Sequence, residues 1–569
     1  MILALLSVAL RLSHLGHSVW NDETFSTHLR LGFHRQSLAW IAYDNHPPLY
    51  SVLMLLWVSL FGDSEVSIRT VPLLCSVASV YWMGRVAAFL IGPRGALMAA
   101  AVMALSGASI FYAQEARSYS FIILLFLLMA EALLRYEENR DQRSLRRFLL
   151  FALLCAASHV YAFLFVLCLW ALLLLSARTP RALAGMIRAG VTQAALVAPL
   201  YFLVALLTLF TNEYEFLWKG LTYAFTGHDA AALLSFYLFG YGGANTLAWV
   251  HWVAGAIFLG GVAAAFKLQR AKPEGSGVPD FSLPEHGRAF AWSVGLGLAA
   301  SLAAASAPWW LSPQSLQRFV GPENHPHLMA ALPQLLNRTS VLYLFGYGAL
   351  IALWAAAGAP DRPGPLARMI RLLSPNGTGP RLQAAQVIVA LPLLALILVL
   401  AISYFRPTYN RRYMLALLPF ALLAVTVALW RFPGRRMRAA LIAAVFASQL
   451  FSLTAQEESF FFFKPDYRRA LQYASGLGMP ATGTALWELD NVSRYYAGRH
   501  EIAPVRVLSR PQAMTVDHVV VFVSRAYPLE APHQAELRDL VRTRTRREVH
   551  FAGLTLYEVG PETGLEGRR

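Results

Sequence analysis

The chain is short of charge, of acidic residues in particular, and of cysteine. Charged residues fill 14% of 569 positions, against roughly 25% in an average soluble domain, so a fully solvated globular surface is excluded. Cys75, Cys155 and Cys168 all fall inside apolar runs, where a thiol acts as a small buried hydrophobe, and no disulfide framework or zinc site can be read from them. Asp and Glu number 32 against 48 Lys and Arg, giving a formal charge of +16. Positive charge of that size suits nucleic acid, but here the basic residues gather in loops between apolar runs, as they do on the cytoplasmic side of membrane proteins, so a nucleic-acid partner is not expected. An internal repeat is also missing, which weakens a transporter built from two related halves.

What is abundant is apolar sequence. Hydrophobic residues make up 57% of the chain and mean hydropathy is +0.47. Runs such as "QVIVALPLLALILVLAISYF" and "YMLALLPFALLAVTVALW" approach the roughly 20 residues needed to cross a hydrocarbon core. The opening "MILALLSVAL" lacks a basic start and a small-residue cleavage site, and reads as a retained first span. Further spans are expected near 66–91, 95–112, 119–135, on either side of Ser158–Tyr161, and near 189–209, 246–266, 289–307, 340–358, 383–404, 412–430 and 439–454. That makes thirteen, and it places the basic loops "RYEENRDQRSLRR", "SARTPRALAGMIR" and "RFPGRRMR" on one side. The thirteen-residue run 49–61 is short for a span; counting it would invert every later loop, so it reads as a helix lying at the interface.

The expected fold class is a polytopic α-helical membrane protein over 1–454, with juxtamembrane helices in an outside loop at 19–65, followed by a small extracytoplasmic α/β domain over 455–569. In that tail, "KPDYRRALQYASGL" and "AELRDLVRTR" read as helices, and "TALWEL", "DHVVVFVS" and "VHFAGLTLYEV" as strands. It gathers no acid, base and nucleophile, so a capping or acceptor-positioning role is expected. "FFFF" at 460–463 reads as an interfacial anchor.

The same threading sorts the polar residues. The outside loops hold Asp22, Glu23, His28, Asp44, His46, Glu115, Arg117, His159, Arg411 and Arg412, and short loops pinned between spans bring such side chains together near the membrane surface. "DETF" also reads as a helix start. The ordinary alternatives are a solvated loop for Asp22 and Glu23, a salt bridge to Arg117 for Glu115, helix packing for His159 and Tyr161, and stiffening of the interfacial helix by Pro47 and Pro48.

"WNDE", then "HPPLY", "FGDSEVSIRTVPLL" and "FYAQEARSYS", resemble the membrane glycosyltransferases of the GT-C superfamily, and more narrowly glycosyltransferase family 39, which holds protein O-mannosyltransferases and the aminoarabinose transferase of lipid A. The resemblance is strongest over 19–125 and fades in the tail. It implies a multi-pass enzyme of a bacterial inner membrane, with its site facing the periplasm or exterior. The implied donor is a polyprenyl-phosphate-linked sugar and the acceptor a hydroxyl on a lipid, glycan or protein, among membrane lipids. Asp22 matches the family's first-loop aspartate and is the expected base, because an acceptor hydroxyl needs a carboxylate to take its proton. Glu115 is the expected second carboxylate and Glu23 the support of the loop. Arg69, Arg117 and Arg411 or Arg412 are expected to clamp the leaving phosphate, and Tyr119 and His159 to line the site. No cofactor is required, and His46 leaves a divalent metal open, since one His does not define a site. "NHPP" is closer to the mannosyltransferase form, which argues against copying the aminoarabinose substrate. The alternative function is a transporter or lipid flippase with charged outside selectivity loops.

Overall fold

The computed structural model describes residues 2–27, 29, 46–176, 180–210, 227–244, 248–266, 281, 283, 285–310, 345–358, 364–366, 383–405, 410–454, 460, 464–499, 501–525, 527–531 and 534–561. Among them six helices are long and apolar enough to cross a membrane: Glu65–Ala104, Tyr119–Asn139, Pro180–Tyr201, Ala384–Ser403, Arg411–Arg431 and Arg435–Thr454. Shorter apolar helices stand beside them at Leu3–Leu12, Val160–Leu175, Val253–Ala265 and Phe345–Ala357. Their outward side chains include the apolar Leu74, Leu97, Leu175, Leu353 and Phe451, as a surface facing lipid tails requires. The chain is a multi-pass membrane protein.

Local chemistry sets the helix ends. Ser64 caps the helix Glu65–Ala104 by accepting from the Ser67 N–H at 3.2 Å. At "IGPRG" Gly92 takes φ 73°, open to glycine, and Pro93 starts a second leg, so one apolar stretch folds as two. Ser106 caps the short helix Gly107–Ala113 that follows. The helix Tyr119–Asn139 stops at Arg140, in the left-handed region at φ 54°, and Asp141 accepts from the Ser144 N–H at 2.8 Å to cap the next helix, Gln142–Ala156.

Two helices depart from the expected threading. "PRALAGMIR" is the first turns of the helix Pro180–Phe210 and not a loop. The stretch after "TGHD", expected in an outside loop, contains the helix Gly227–Ala244, whose Leu233, Phe236 and Tyr237 are buried. Ser106 Oγ donates to the Tyr237 carbonyl and the Tyr237 hydroxyl to the Met414 carbonyl, each at 2.5 Å, which ties this helix to two turns at the same end of the bundle. The run 49–61 is a helix, Leu49–Phe61.

The tail forms a four-stranded sheet in the order β1-β2-β4-β3, from β1 (Ala481–Gly483), β2 (Val519–Ser524), β3 (Thr545–Phe551) and β4 (Leu554–Val559). β1 runs parallel to β2, and the other two pairings are antiparallel. "TALWEL" is therefore not a strand: β1 ends at Gly483, and the helix Leu486–Gly498 buries Leu489, Val492 and Tyr496 at helical spacing. "VHFAGLTLYEV" is not one strand but a hairpin, turned at Ala552 and Gly553, the latter at φ 75°. One apolar core joins this unit to the first loop, with Val19, Met54 and Ile68 packed among Tyr467, Leu489, Tyr496, Val520 and Leu556. Phe460 is buried against His14 rather than lying at an interface; 461–463 are outside the described residues, as are His28 and Asp44.

Candidate active site

The cluster is built on a pinned first loop. Asn21–Thr27 is a helix with Asp22 and Glu23 in its first turn, where carboxylates suit the helix dipole. Glu23 points inward and is fully buried. Arg69 Nε meets its Oε1 at 2.8 Å and Arg69 Nη2 its Oε2 at 2.5 Å, while the Ala116 N–H donates to Oε1 at 3.0 Å. Arg69 also donates to the carbonyls of Leu15 at 2.9 Å, His17 at 2.5 Å and Ser18 at 3.0 Å. Burial alone would push the Glu23 carboxyl up; the charges of Arg69 and Lys464 and the hydrogen bonds outweigh it and hold the group at about 2. Glu23 thus fastens the loop to the helix beginning at Glu65 and to the turn at Ala116. The expectation that Arg69 clamps phosphate is corrected here: its guanidinium is buried and already committed to a carboxylate and four carbonyls, that of His14 at 3.4 Å being the fourth.

Asp22, one residue earlier, points the other way and forms an ion pair with Arg412, which stands at the start of the 3₁₀ turn Arg411–Leu417. Their side chains keep 21% and 16% exposure, whereas Glu23, Arg69 and Lys464 are at 0% and Glu115 at 1%. Of these charged groups, the Asp22–Arg412 pair is therefore the one open to solvent. Glu115 sits in the turn between the helices Gly107–Ala113 and Tyr119–Asn139. Its Oε2 lies 3.5 Å from Lys464 Nζ, and its Oε1 is buried with no hydrogen-bond partner among the described residues. Burial pushes the Glu115 carboxyl up, in part offset by Lys464 and Arg412.

An aromatic wall adjoins these charges. His46 and His159 stack at 3.9 Å between ring centroids, with Tyr413 5.9 Å from the first and 5.5 Å from the second, and Tyr119 6.1 Å from His159. His46 Nδ1 and Trp20 Nε1 are likewise buried without a partner among the described residues. Burial, then the charges of Arg117 and Arg412, hold the His46 ring well below its usual range, so it is neutral. The Arg117 guanidinium lies 5.1 Å from the Phe25 ring and that of Arg411 5.6 Å from Phe236, and among the described residues the ion-pair partner of the Glu115 carboxylate is Lys464. Among the described residues no three His, Cys, Asp or Glu side chains group closely enough to hold a metal ion.

Four separate stretches of sequence therefore meet at one end of the helices, and a fifth was not anticipated. Lys464 enters from the start of the tail, ahead of the helix Tyr467–Leu477, fully buried, its Nζ donating to the Gln114 carbonyl at 2.9 Å. The only sequence signal was a lysine directly after an apolar run, in "FFFKPDY". Trp20 and Tyr413 were also passed over, since aromatics beside spans are common.

Fold and cluster together define a multi-pass helical membrane protein with a charged, tail-covered site at one end of its helices. Residues 45–204 match the family described as dolichyl-phosphate-mannose-protein mannosyltransferase. "HPPLY" and "FYAQEARSYS" fall in that stretch; "WNDE" precedes it. No curated protein matches the chain. Among solved structures it is similar to ArnT from Cupriavidus metallidurans in the apo state, with TM-score 0.43 and 10% identity over 99% of this chain and 98% of that one. The same protein bound to undecaprenyl phosphate gives TM-score 0.41 and 12% identity with the same coverage. The oligosaccharyltransferase of Archaeoglobus fulgidus with zinc and sulfate gives 0.37 and 11%, over 91% of this chain and 67% of that one. These likenesses are remote.

Proposed function

We propose that the protein is a membrane glycosyltransferase that moves a sugar from a polyprenyl-phosphate donor to an acceptor hydroxyl on a lipid, glycan or protein at the outer face of a bacterial inner membrane. The observation that carries this reading is the partly exposed Asp22–Arg412 pair beside buried Glu115 Oε1, His46 Nδ1 and Trp20 Nε1, which have no hydrogen-bond partner among the described residues. Buried polar atoms are nearly always satisfied, and three lapses around one reachable ion pair mark a place where a polar ligand completes the bonding. The family match over 45–204 supports the class of ligand.

In this reading the donor phosphate competes with Asp22 for Arg412. A guanidinium fork suits phosphate oxygens, so the donor's arrival frees the Asp22 carboxylate. The acceptor oxygen then attacks the anomeric carbon, a new C–O bond forms, the bond to the phosphate oxygen breaks, and the hydroxyl proton passes to Asp22. Polyprenyl phosphate leaves as a stable anion without a general acid. A single displacement inverts the anomeric centre. Glu115 Oε1 and His46 Nδ1 remain to accept or share hydrogen bonds with sugar or acceptor hydroxyls. No step in this scheme calls for a cofactor or a metal.

The test is reconstitution in liposomes with a panel of radiolabelled polyprenyl-phosphate sugars, wild type against Asp22→Asn. Transfer by wild type and its loss in Asp22→Asn is the expected result. Equal transfer by both would sink Asp22 as base. No transfer with any donor, alongside movement of label across the bilayer, would instead make the protein a transporter or flippase.

A further inference from the structure

Lys464 opens the stretch "KPDYRRALQYASGL" and is not among the site residues expected from the sequence, yet it is as fully buried in the cluster as Glu23 and Arg69. Its Nζ is 3.5 Å from Glu115 Oε2, 3.8 Å from Glu23 Oε1 and 2.9 Å from the Gln114 carbonyl, and the side chain is walled by Phe111, Phe460 and Trp20 with ring centroids at 5.0, 5.4 and 6.0 Å. A buried ammonium in apolar walls is costly unless anions compensate it. Two carboxylates do so, but they are not equivalent. Glu23 already has the Arg69 fork at 2.8 and 2.5 Å, and Asp22 has Arg412. Among the described residues, Glu115 has no cation in ion-pair range other than Lys464.

We propose, on the reading of the site given above, that Lys464 is a positioning residue that keeps Glu115 ionised and aimed by one oxygen, so that Oε1 stays open to accept a hydrogen bond from a substrate hydroxyl. It also couples the site to the tail. The Lys464 carbonyl is 2.7 Å from His17 Nε2, and four residues on Arg468 pairs with Glu65, whose Oε1 is 3.1 Å from the Tyr496 hydroxyl on the tail helix Leu486–Gly498. Docking of the tail thereby delivers the cation.

The charges that act on Glu115 are those of Lys464, Arg412, Asp22 and Glu23, and Tyr50 and Tyr119 feel the Glu115 charge in turn; burial pushes the Lys464 ammonium down, against which Glu23 and Glu115 hold it up, while Arg69 opposes them. Removing the Lys464 charge leaves a buried carboxylate beside two others, and it takes up a proton at higher pH. Because the ionised form is the working one, the acid limb of the rate profile moves upward.

The experiment measures initial transfer rate against pH for the full-length protein in liposomes, as wild type, Lys464→Met, Lys464→Arg, Glu115→Gln and Lys464→Met/Glu115→Gln. The expected result is an acid limb raised by about one pH unit or more in Lys464→Met, corresponding to about a tenfold lower rate on that limb. Lys464→Arg restores it, and the profiles of Glu115→Gln and the double variant coincide. A uniform loss with an unmoved acid limb overturns the proposal. Infrared spectra of the same proteins with labelled glutamate give a readout independent of turnover: a protonated carboxyl present at neutral pH in Lys464→Met and absent in the double variant is expected, and its absence from Lys464→Met overturns the inference even if no donor is found. Lys464→Gln, neutral but polar, replaces Lys464→Met should the latter not fold. Failure of wild type with every donor, with the infrared signal present, sinks the transferase reading and leaves the ionic role of Lys464 standing.

Discussion

The Arg69 guanidinium grips the Glu23 carboxylate at 2.8 and 2.5 Å with both side chains wholly buried, and it reaches four carbonyls of the chain that leads into the Asp22 helix. Adjacent positions thus carry a carboxylate that holds the fold, Glu23, and one partly open to solvent, Asp22. Breaking a buried pair from one side leaves an uncompensated charge, which costs about 3–5 kcal/mol. Glu23→Gln therefore lowers unfolding stability in detergent by an amount of that order, whereas Asp22→Asn, at a pair that keeps 21% and 16% exposure, lowers it by less. Equal losses in the two variants would remove the distinction.

The same pair sets a pH dependence. Glu23 titrates at about 2 in the fold against an ordinary 4.5, so its folded form is favoured ionised. A depressed carboxyl contributes stability that is fully present above the unfolded value and is lost as pH falls through the folded one. The stability gap between wild type and Glu23→Gln is thus constant above pH 4.5 and closes between about 4.5 and about 2. Chemical denaturation at a series of pH values reads it directly; a gap unchanged at the lower end would refute the assignment.

Arg412 is assigned the donor phosphate because its present partner, Asp22, is exchangeable. Lysine keeps the charge but loses the planar fork. Arg412→Lys is expected to raise KM for the lipid-linked donor by about tenfold, a loss of one strong hydrogen bond, with a smaller change in kcat. A fall in kcat with KM unmoved would place the arginine elsewhere in the reaction.

Much of this architecture is legible in one sequence because lipid simplifies the problem. Apolar runs find the helices, and the charge asymmetry of their loops sends Asp22, His46, Glu115, His159 and Arg412 to one end, where the structure indeed gathers them. Two kinds of feature escape. The helix Gly227–Ala244 buries its stretch from Ala232 to Phe239 inside the protein, and glycines and polar residues at both ends break up its apolar run. Lys464 and Arg69 owe their places to pairing across long sequence separations: Lys464 reaches Gln114 over 350 residues, and nothing local announces which cation will meet which carboxylate. In the tail, "TALWEL" misleads because six residues hold too little periodicity to separate a short strand from the start of a helix.

Arg11 gives the last prediction, because it is a fully buried arginine inside the first apolar helix, Ile2–Leu12. Its donors are all used: Nε to Ser76 Oγ at 2.8 Å, Nη1 to the Ser7 carbonyl at 3.0 Å and the Ala104 carbonyl at 3.1 Å, and Nη2 to Ser109 Oγ at 2.9 Å and the Met103 carbonyl at 3.4 Å. Met103 and Ala104 end the helix that starts at Glu65, where carbonyls run out of intrahelical donors. In hydrocarbon such groups cannot turn to water, so Arg11 serves as a cap delivered from another helix and fixes the turn that carries Ser106 and, beyond it, Glu115. Arg11→Met removes the cap, and hydrogen bonds to a charged group contribute about 1.5–3 kcal/mol each. Loss of about 3 kcal/mol or more of stability is expected, with partial recovery in Arg11→Lys, whose three donors match some of the same carbonyls. A melting curve for Arg11→Met that overlays wild type would show that the helix end needs no such partner.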